Sequence, residues 1–159
     1  MDSSDPNIKF DENNICDYCL NFEKNIKPSW SNTLQNNQIL SQISNNIRLE
    51  GKNKDFDCII GLSGGLDSSY AAYVAKEKMG LRPLFFHVDA GWNTDQAVGN
   101  IEKLINGLNS DLYTEVANWD QVKRMQVAFL RSGIPDQDLV QDAVFFSELY
   151  KFAKKNNVK

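Results

Sequence analysis

The chain is short of positive charge and of cysteine, and it has no long apolar run. Its 159 residues include 17 Lys or Arg against 21 Asp or Glu, a formal net charge of −4 with an isoelectric point near 5.0. No Lys/Arg cluster stands out, which argues against a nucleic-acid partner, where a basic stripe is expected. No apolar stretch approaches the roughly 18–20 residues of a membrane span. The opening MDSSDPNIKF lacks the basic and apolar regions of a secretory signal. A cytoplasmic protein with no membrane partner is the expectation. Three cysteines, Cys16, Cys19 and Cys58, are an odd number in such a chain and do not suggest a disulfide framework. The single histidine, His87, has no partner visible in the sequence and reads first as a packed strand residue.

What is present is ordinary globular composition, 42% hydrophobic and 24% charged, in a length that suits one core. Two textures divide the chain into a segment 1–53 and a domain 54–159. The first is rich in Asn and Ser. Ile8 to Phe10 is expected as a short strand, Asp11 to Asn14 as a turn, and Ile15 to Cys19 as a Cys-bearing loop. Leu34, Leu40, Ile43 and Ile47 recur near helical spacing and predict a helix over 33–49 that stops at Gly51.

From Asp55 onward strands and helices alternate. Cys58 to Leu62 is a wholly apolar run suited to a strand buried on both faces. A helix is expected over 66–79, with Tyr70, Ala71, Val74 and Ala75 inward and Gly80 as its stop. Leu84 to Val88 is the second strand. Thr94 or Asn93 caps a helix carrying Val98, Ile101, Leu104, Ile105 and Leu108. Leu112 to Val116 is the third strand, followed by helices over 119–131, ended by Gly133, and over 138–156. This alternation predicts a parallel, doubly wound, Rossmann-like α/β sheet. The chain stops at Val158-Lys159, where a fourth strand is expected, so the sheet is expected to be truncated.

Ser63-Gly64-Gly65-Leu66-Asp67-Ser68-Ser69 lies between the first strand and its helix, where open α/β sheets bind ligands. Adjacent glycines let the backbone approach an anion closely, and the serine hydroxyls add donors. The following helix start adds positive potential. Asp67 beside phosphates calls for a Mg²⁺ between them. The string is neither GxxxxGK[ST] nor GxGxxG. It resembles the SGGxDS signature of the PP-loop (N-type) ATP pyrophosphatases, with their adenine nucleotide alpha hydrolase-like fold. That family includes GMP, NAD, asparagine and argininosuccinate synthetases and tRNA-thiolating enzymes.

The resemblance implies ATP and Mg²⁺ as cofactors and cleavage between the α- and β-phosphates. It implies that Ser63, Gly64, Gly65, Leu66, Asp67, Ser68 and Ser69 hold the pyrophosphate, with Asp67 on the metal. His87 and Val88 would receive the adenosine part. Asp89 would join Asp67 in catalysis, serving metal or substrate, although a solvated turn explains Asp89-Ala90-Gly91 nearly as well.

Over most of its length the chain also resembles the N-acetyl sugar amidotransferases of surface-polysaccharide (lipopolysaccharide/O-antigen) biosynthesis. The resemblance rests on NIKFDENNICDYC, DCIIGLSGGLDSSY, FHVDAGWNT and IPDQDLVQDAVFFSELYKFAKK. It implies an ATP-dependent ligase that turns an acetamido group of a nucleotide sugar into an acetamidino group. Ammonia would come from a separate glutaminase subunit, since one His and these Cys do not make a Cys-His glutaminase.

That family normally carries a further CxxC before the segment matching Met1-Asp2. With Cys16 and Cys19 it would complete a four-ligand zinc site; two thiolates alone do not close one. An upstream start, vestigial cysteines, or ligands from another chain remain open. No Cys follows Cys58, so sulfur transfer is disfavoured, and Cys58 reads as core. Asp138 and Asp142 open the last helix, where negative charge suits the dipole; sugar or metal contact is the alternative. The rival readings are another PP-loop enzyme acting on tRNA or a nucleotide, and a non-catalytic nucleotide-binding fragment.

Overall fold

The computed structural model describes residues 2–30 and 34–158 and divides the chain into two compact units, Met1–Gln42 and Ile43–Lys159. In the first unit, Asp11 Oδ1 accepts from the amides of Asn13 and Ile15, both at 2.9 Å. The turn sets Phe10 opposite Cys16 as an isolated antiparallel bridge. The strand expected over 8–10 shrinks to that bridge, since only Phe10 pairs among the described residues of this stretch and the chain turns into a helix at Asp17. The loop expected through Cys19 winds up instead as helix α1, Asp17–Asn21, because the Cys16 thiolate or thiol sulfur caps it by accepting from the Cys19 amide at 3.4 Å. Helix α2, Leu34–Glu50, covers the expected 33–49 apart from residue 33, which lies outside the described residues.

The second unit is built on three parallel strands, β1 (Cys58–Gly61), β2 (Pro83–Asp89) and β3 (Leu112–Val116), in the order β1-β2-β3. Register places Ile60 beside Phe85 and Phe85 beside Leu112 on one face. Helices α3 (Leu66–Tyr73) and α4 (Asp95–Gly107) cover that face, where Ala72, Ile101, Ile105 and Leu108 join Phe85 and Leu62 in the core. The next residue along β2, Phe86, points the other way. It stacks on Tyr113 at 5.8 Å and on Phe152 at 4.6 Å, and Phe152 belongs to α6 (Leu139–Lys155). Helices therefore lie on both faces, the doubly wound parallel α/β arrangement expected from the strand–helix alternation.

The inward face of α3 differs from the expectation. Ala72 and Ala75 are buried, whereas Tyr70 is 64% exposed and Ala71 is exposed. The helix lies close to the sheet beside Phe85, where alanines fit and tyrosines do not. Tyr70 and Tyr73 turn outward, with ring centroids 6.3 Å apart. The helix also loosens into a π turn over Val74–Lys78 before Gly80 ends it at φ +60°.

At the amino-terminal edge of the sheet, buried Asp57 receives the Arg82 amide at 2.8 Å and the guanidinium Nη2 at 2.6 Å. The same guanidinium reaches the carbonyls of Lys54 and Gly51, at 2.8 and 3.0 Å. Ser44 on α2 donates to the Met79 carbonyl at 3.0 Å. These bonds fasten the α2–β1 connection to the start of β2.

Helix α5, Trp119–Ser132, is capped by Asn118, whose side chain accepts from Gln121 at 3.1 Å. It ends on Gly133 at φ +71°. Nothing lies within 4 Å of a Cβ built there, so Gly133→Ala meets only the backbone penalty. Urea denaturation is expected to show a loss of about 1 kcal/mol. An unchanged midpoint would contradict the left-handed cap.

Candidate nucleotide site

The site grows from the carboxyl end of β1. Leu62 continues the pairing, its amide donating to the Phe86 carbonyl at 2.8 Å, and then the chain leaves the sheet. Gly64 takes φ +77° and packs so closely on α4 that a Cβ there would lie 2.8 Å from Ala97 Cα. Asn100 on α4 donates to the Gly64 carbonyl at 3.1 Å. The loop is thus pinned against the first turns of α4, which is capped by Thr94, whose hydroxyl accepts from the Ala97 amide at 3.2 Å.

Gly65 is the N-cap of α3, with extended backbone and no capping side chain. The first-turn amides of α3 have no helical partner and face outward. Around them the serines form a small network. The Ser63 amide donates to Ser68 Oγ at 3.2 Å, the two hydroxyls lie 3.1 Å apart, and Ser69 Oγ donates to the Gly65 carbonyl at 2.7 Å. A Cβ on Gly65 would meet only Ser63 Oγ, at 3.4 Å, so the space beyond is open. Outward amides, a cluster of serine hydroxyls and positive helix-end potential fit a polyphosphate. Asp67, exposed in the first turn of α3, offers a carboxylate open to a divalent cation.

A cavity of about 420 Å³ adjoins the loop and brings together Ser63, Ser68, His87 and Val88. Gly64, Gly65, Leu66, Asp67 and Ser69 form the loop around it rather than its lining, and Leu66 is 84% exposed. Asp89 does not line it; its Oδ1 accepts from the Gly91 amide at 2.8 Å, a turn contact. Asp138 and Asp142 sit at the start of α6 and also lie outside the lining, where Gln141 takes part instead.

The far wall was not anticipated from the sequence. Phe145, Phe146 and Leu149 of α6 face Trp92 and Asn93 across the cavity. The spacing 141, 145, 149 is helical and was the available signal. Trp92 is held edge-on to Trp119 at 5.5 Å, and Gly91, at φ +87°, leaves room for that indole.

The cysteines divide as their settings dictate. Partial burial pushes the Cys58 thiol up to about 11, which does not suit a nucleophile; the residue is half-buried on β1 and not part of the core expected for it. The Cys19 amide lowers Cys16, and the hydrogen bond to Cys16 raises Cys19, so Cys16 ionises first. Among the described residues no three His, Cys, Asp or Glu side chains are grouped to hold a metal. Cys16 and Cys19 alone fall short of the four ligands of a structural zinc, and the structure gives the zinc expectation no support.

No protein-family model matches the chain, and no curated protein matches it. Solved structures do. The chain resembles an NH3-dependent NAD synthetase from Campylobacter jejuni, with TM-score 0.54 and 17% identity over 77% of this chain and 53% of that one. It also resembles the NMN synthetase from Francisella tularensis, with TM-score 0.50 and 26% identity over 76% of this chain and 51% of that one. The first likeness establishes the α/β fold. The chain spans about half the length of these two structures.

Proposed function

We propose that this chain carries the ATP site of a PP-loop ligase that cleaves ATP to AMP and pyrophosphate and transfers ammonia to an activated acceptor. The observation that carries the reading is the Ser63–Ser69 loop. Its SGGLDS string stands between a parallel strand and its helix, and Gly64 at φ +77° closes it against α4. Likeness to the Francisella NMN synthetase supports the same class.

In this reading Ser63, Ser68 and the first-turn amides of α3 bind the phosphates, and Asp67 would hold Mg²⁺, which would supply charge neutralisation. Val88, Trp92 and the α6 aromatics line the cavity beside the loop and offer apolar surface to the nucleotide. An acceptor oxygen attacks the α-phosphorus, pyrophosphate leaves, and ammonia then displaces AMP. Positioning supplies much of the rate.

The acceptor we favour is the acetamido group of a nucleotide sugar, which becomes an acetamidino group, with a separate glutaminase as the ammonia source. The support is the NIKFDEN…CDYC and FHVDAGWNT segments. A second acceptor, the acid form of a pyridine nucleotide, is favoured by the likeness to NMN synthetase. Incubation with ATP, Mg²⁺, ammonia and each acceptor, with products resolved by mass, tests both. Conversion of a UDP-N-acetyl sugar to the amidine supports the first acceptor. Amide formed only on the pyridine nucleotide overturns it.

A further inference from the structure

His87 is the chain's one histidine and is only 8% exposed. Its ring joins two segments far apart in sequence. Nδ1 lies 2.7 Å from the Leu62 carbonyl oxygen, and Nε2 lies 3.0 Å from Asn93 Nδ2. A carbonyl only accepts, so Nδ1 carries the hydrogen; an amide NH₂ only donates, so Nε2 is bare. Leu62 immediately precedes the phosphate loop, and Asn93 immediately precedes the Thr94 cap of α4. His87 and Asn93 are also shared by two cavities, the one of about 420 Å³ and another of about 380 Å³ whose polar lining includes Asp89, Glu102 and Thr114. The imidazole is a partition between them.

We propose that His87 is a positioning residue for the nucleotide. As the neutral ring protonated on Nδ1, it spaces the start of the phosphate loop from the start of α4. Gly64 against Ala97 and Asn100 against the Gly64 carbonyl are the other ties across the same gap. The ring acts on the loop through Leu62 and Asn93. This inference rests on the ATP reading of the loop.

The test combines a spectrum with a rescue series. A long-range ¹H–¹⁵N imidazole spectrum of the whole chain reports a single ring, and the expected pattern is hydrogen on Nδ1 with Nε2 bare. ATP·Mg²⁺ affinity is then measured well below each variant's melting temperature. His87→Phe keeps the bulk and loses both bonds, and is expected to bind about tenfold more weakly. His87→Asn restores a donor at the Nδ1 position and should recover most of that loss. Asn93→Ala, on an exposed loop that does not threaten folding, should cost about threefold. Gly65→Val is the control for the loop itself and should abolish binding.

Hydrogen found on Nε2 overturns the proposal. So do His87→Phe and Asn93→Ala proteins that bind ATP like wild type while Gly65→Val does not; the loop reading then survives alone. A wild type that binds no ATP, or a Gly65→Val protein that binds it equally, removes the loop reading and this inference together.

Discussion

Gly64→Ala is expected to fold poorly and to lose ATP binding, whereas Gly65→Ala folds normally and loses binding alone. The two glycines are adjacent but do different work. Gly64 sits at φ +77°, where an L side chain costs about 1–2 kcal/mol. Its Cβ would also press on the Ala97 backbone, with Cα at 2.8 Å, in a first turn that cannot move without carrying α4. Overpacking of that kind adds about 1–3 kcal/mol. Together these take a large share of the roughly 5–15 kcal/mol that holds a domain folded. Gly65 has ordinary extended backbone at φ −82°, and its Cβ would meet only the Ser63 hydroxyl at 3.4 Å. Its methyl points into the space assigned to phosphate, so affinity falls while stability holds. Thermal denaturation with ATP titration of both variants separates the effects. Equal melting temperatures for the pair would contradict the packing of Gly64 on α4.

The second large effect lies at the opposite edge of the sheet. Arg82→Met leaves the Asp57 carboxylate, 3% exposed, without its guanidinium. Breaking a buried pair from one side costs about 3–5 kcal/mol, and the half-exposed Arg82 argues for about 3 here. The pH dependence has a defined sign. The Arg82 hydrogen bond holds Asp57 below its ordinary 3.8. A depressed carboxylate contributes stability that is present above its unfolded value and lost as pH falls through the folded one. In Arg82→Met, burial without the partner favours the protonated acid, so the deficit shrinks on acidification. Urea midpoints should therefore lie furthest apart near neutral pH and converge below 3.8. A constant gap across that range would show that Arg82 stabilises by packing and not by charge.

Much of this architecture could be read from local chemistry. The Thr94 cap and the Gly80 and Gly133 stops act within a few residues, and the structure keeps each of them. The apolar run at 58–62 does form a strand, but β1 is only half-buried and not covered on both faces as expected, because it lies at the edge of the described sheet. The third strand, Leu112–Val116, has the expected bounds. The SGGLDS loop was legible because its chemistry is contiguous in sequence.

What escaped depends on segments far apart. Tyr70 and Ala71 have the periodicity of an inward face, but the distance of α3 from Phe85 decided for Ala72 and Ala75. His87 seemed partnerless because Leu62 lies 25 positions away and Asn93 is on a loop. The aromatic wall from α6 and the Trp92–Trp119 contact are likewise tertiary facts. Periodicity marks Phe145 and Leu149 as apolar positions; only the fold says that they face a cavity rather than a sheet.

The central claim is that residues Ser63–Ser69 present ATP for attack at its α-phosphorus. The direct measurement is the nucleotide product when the chain is incubated with ATP, Mg²⁺, ammonia and the acceptor panel, resolved by mass and by ³¹P spectra. The account predicts AMP and pyrophosphate in equal amounts, with turnover abolished in Gly65→Val. ADP and orthophosphate as the products of wild type would mean attack at the γ-phosphorus and would contradict it.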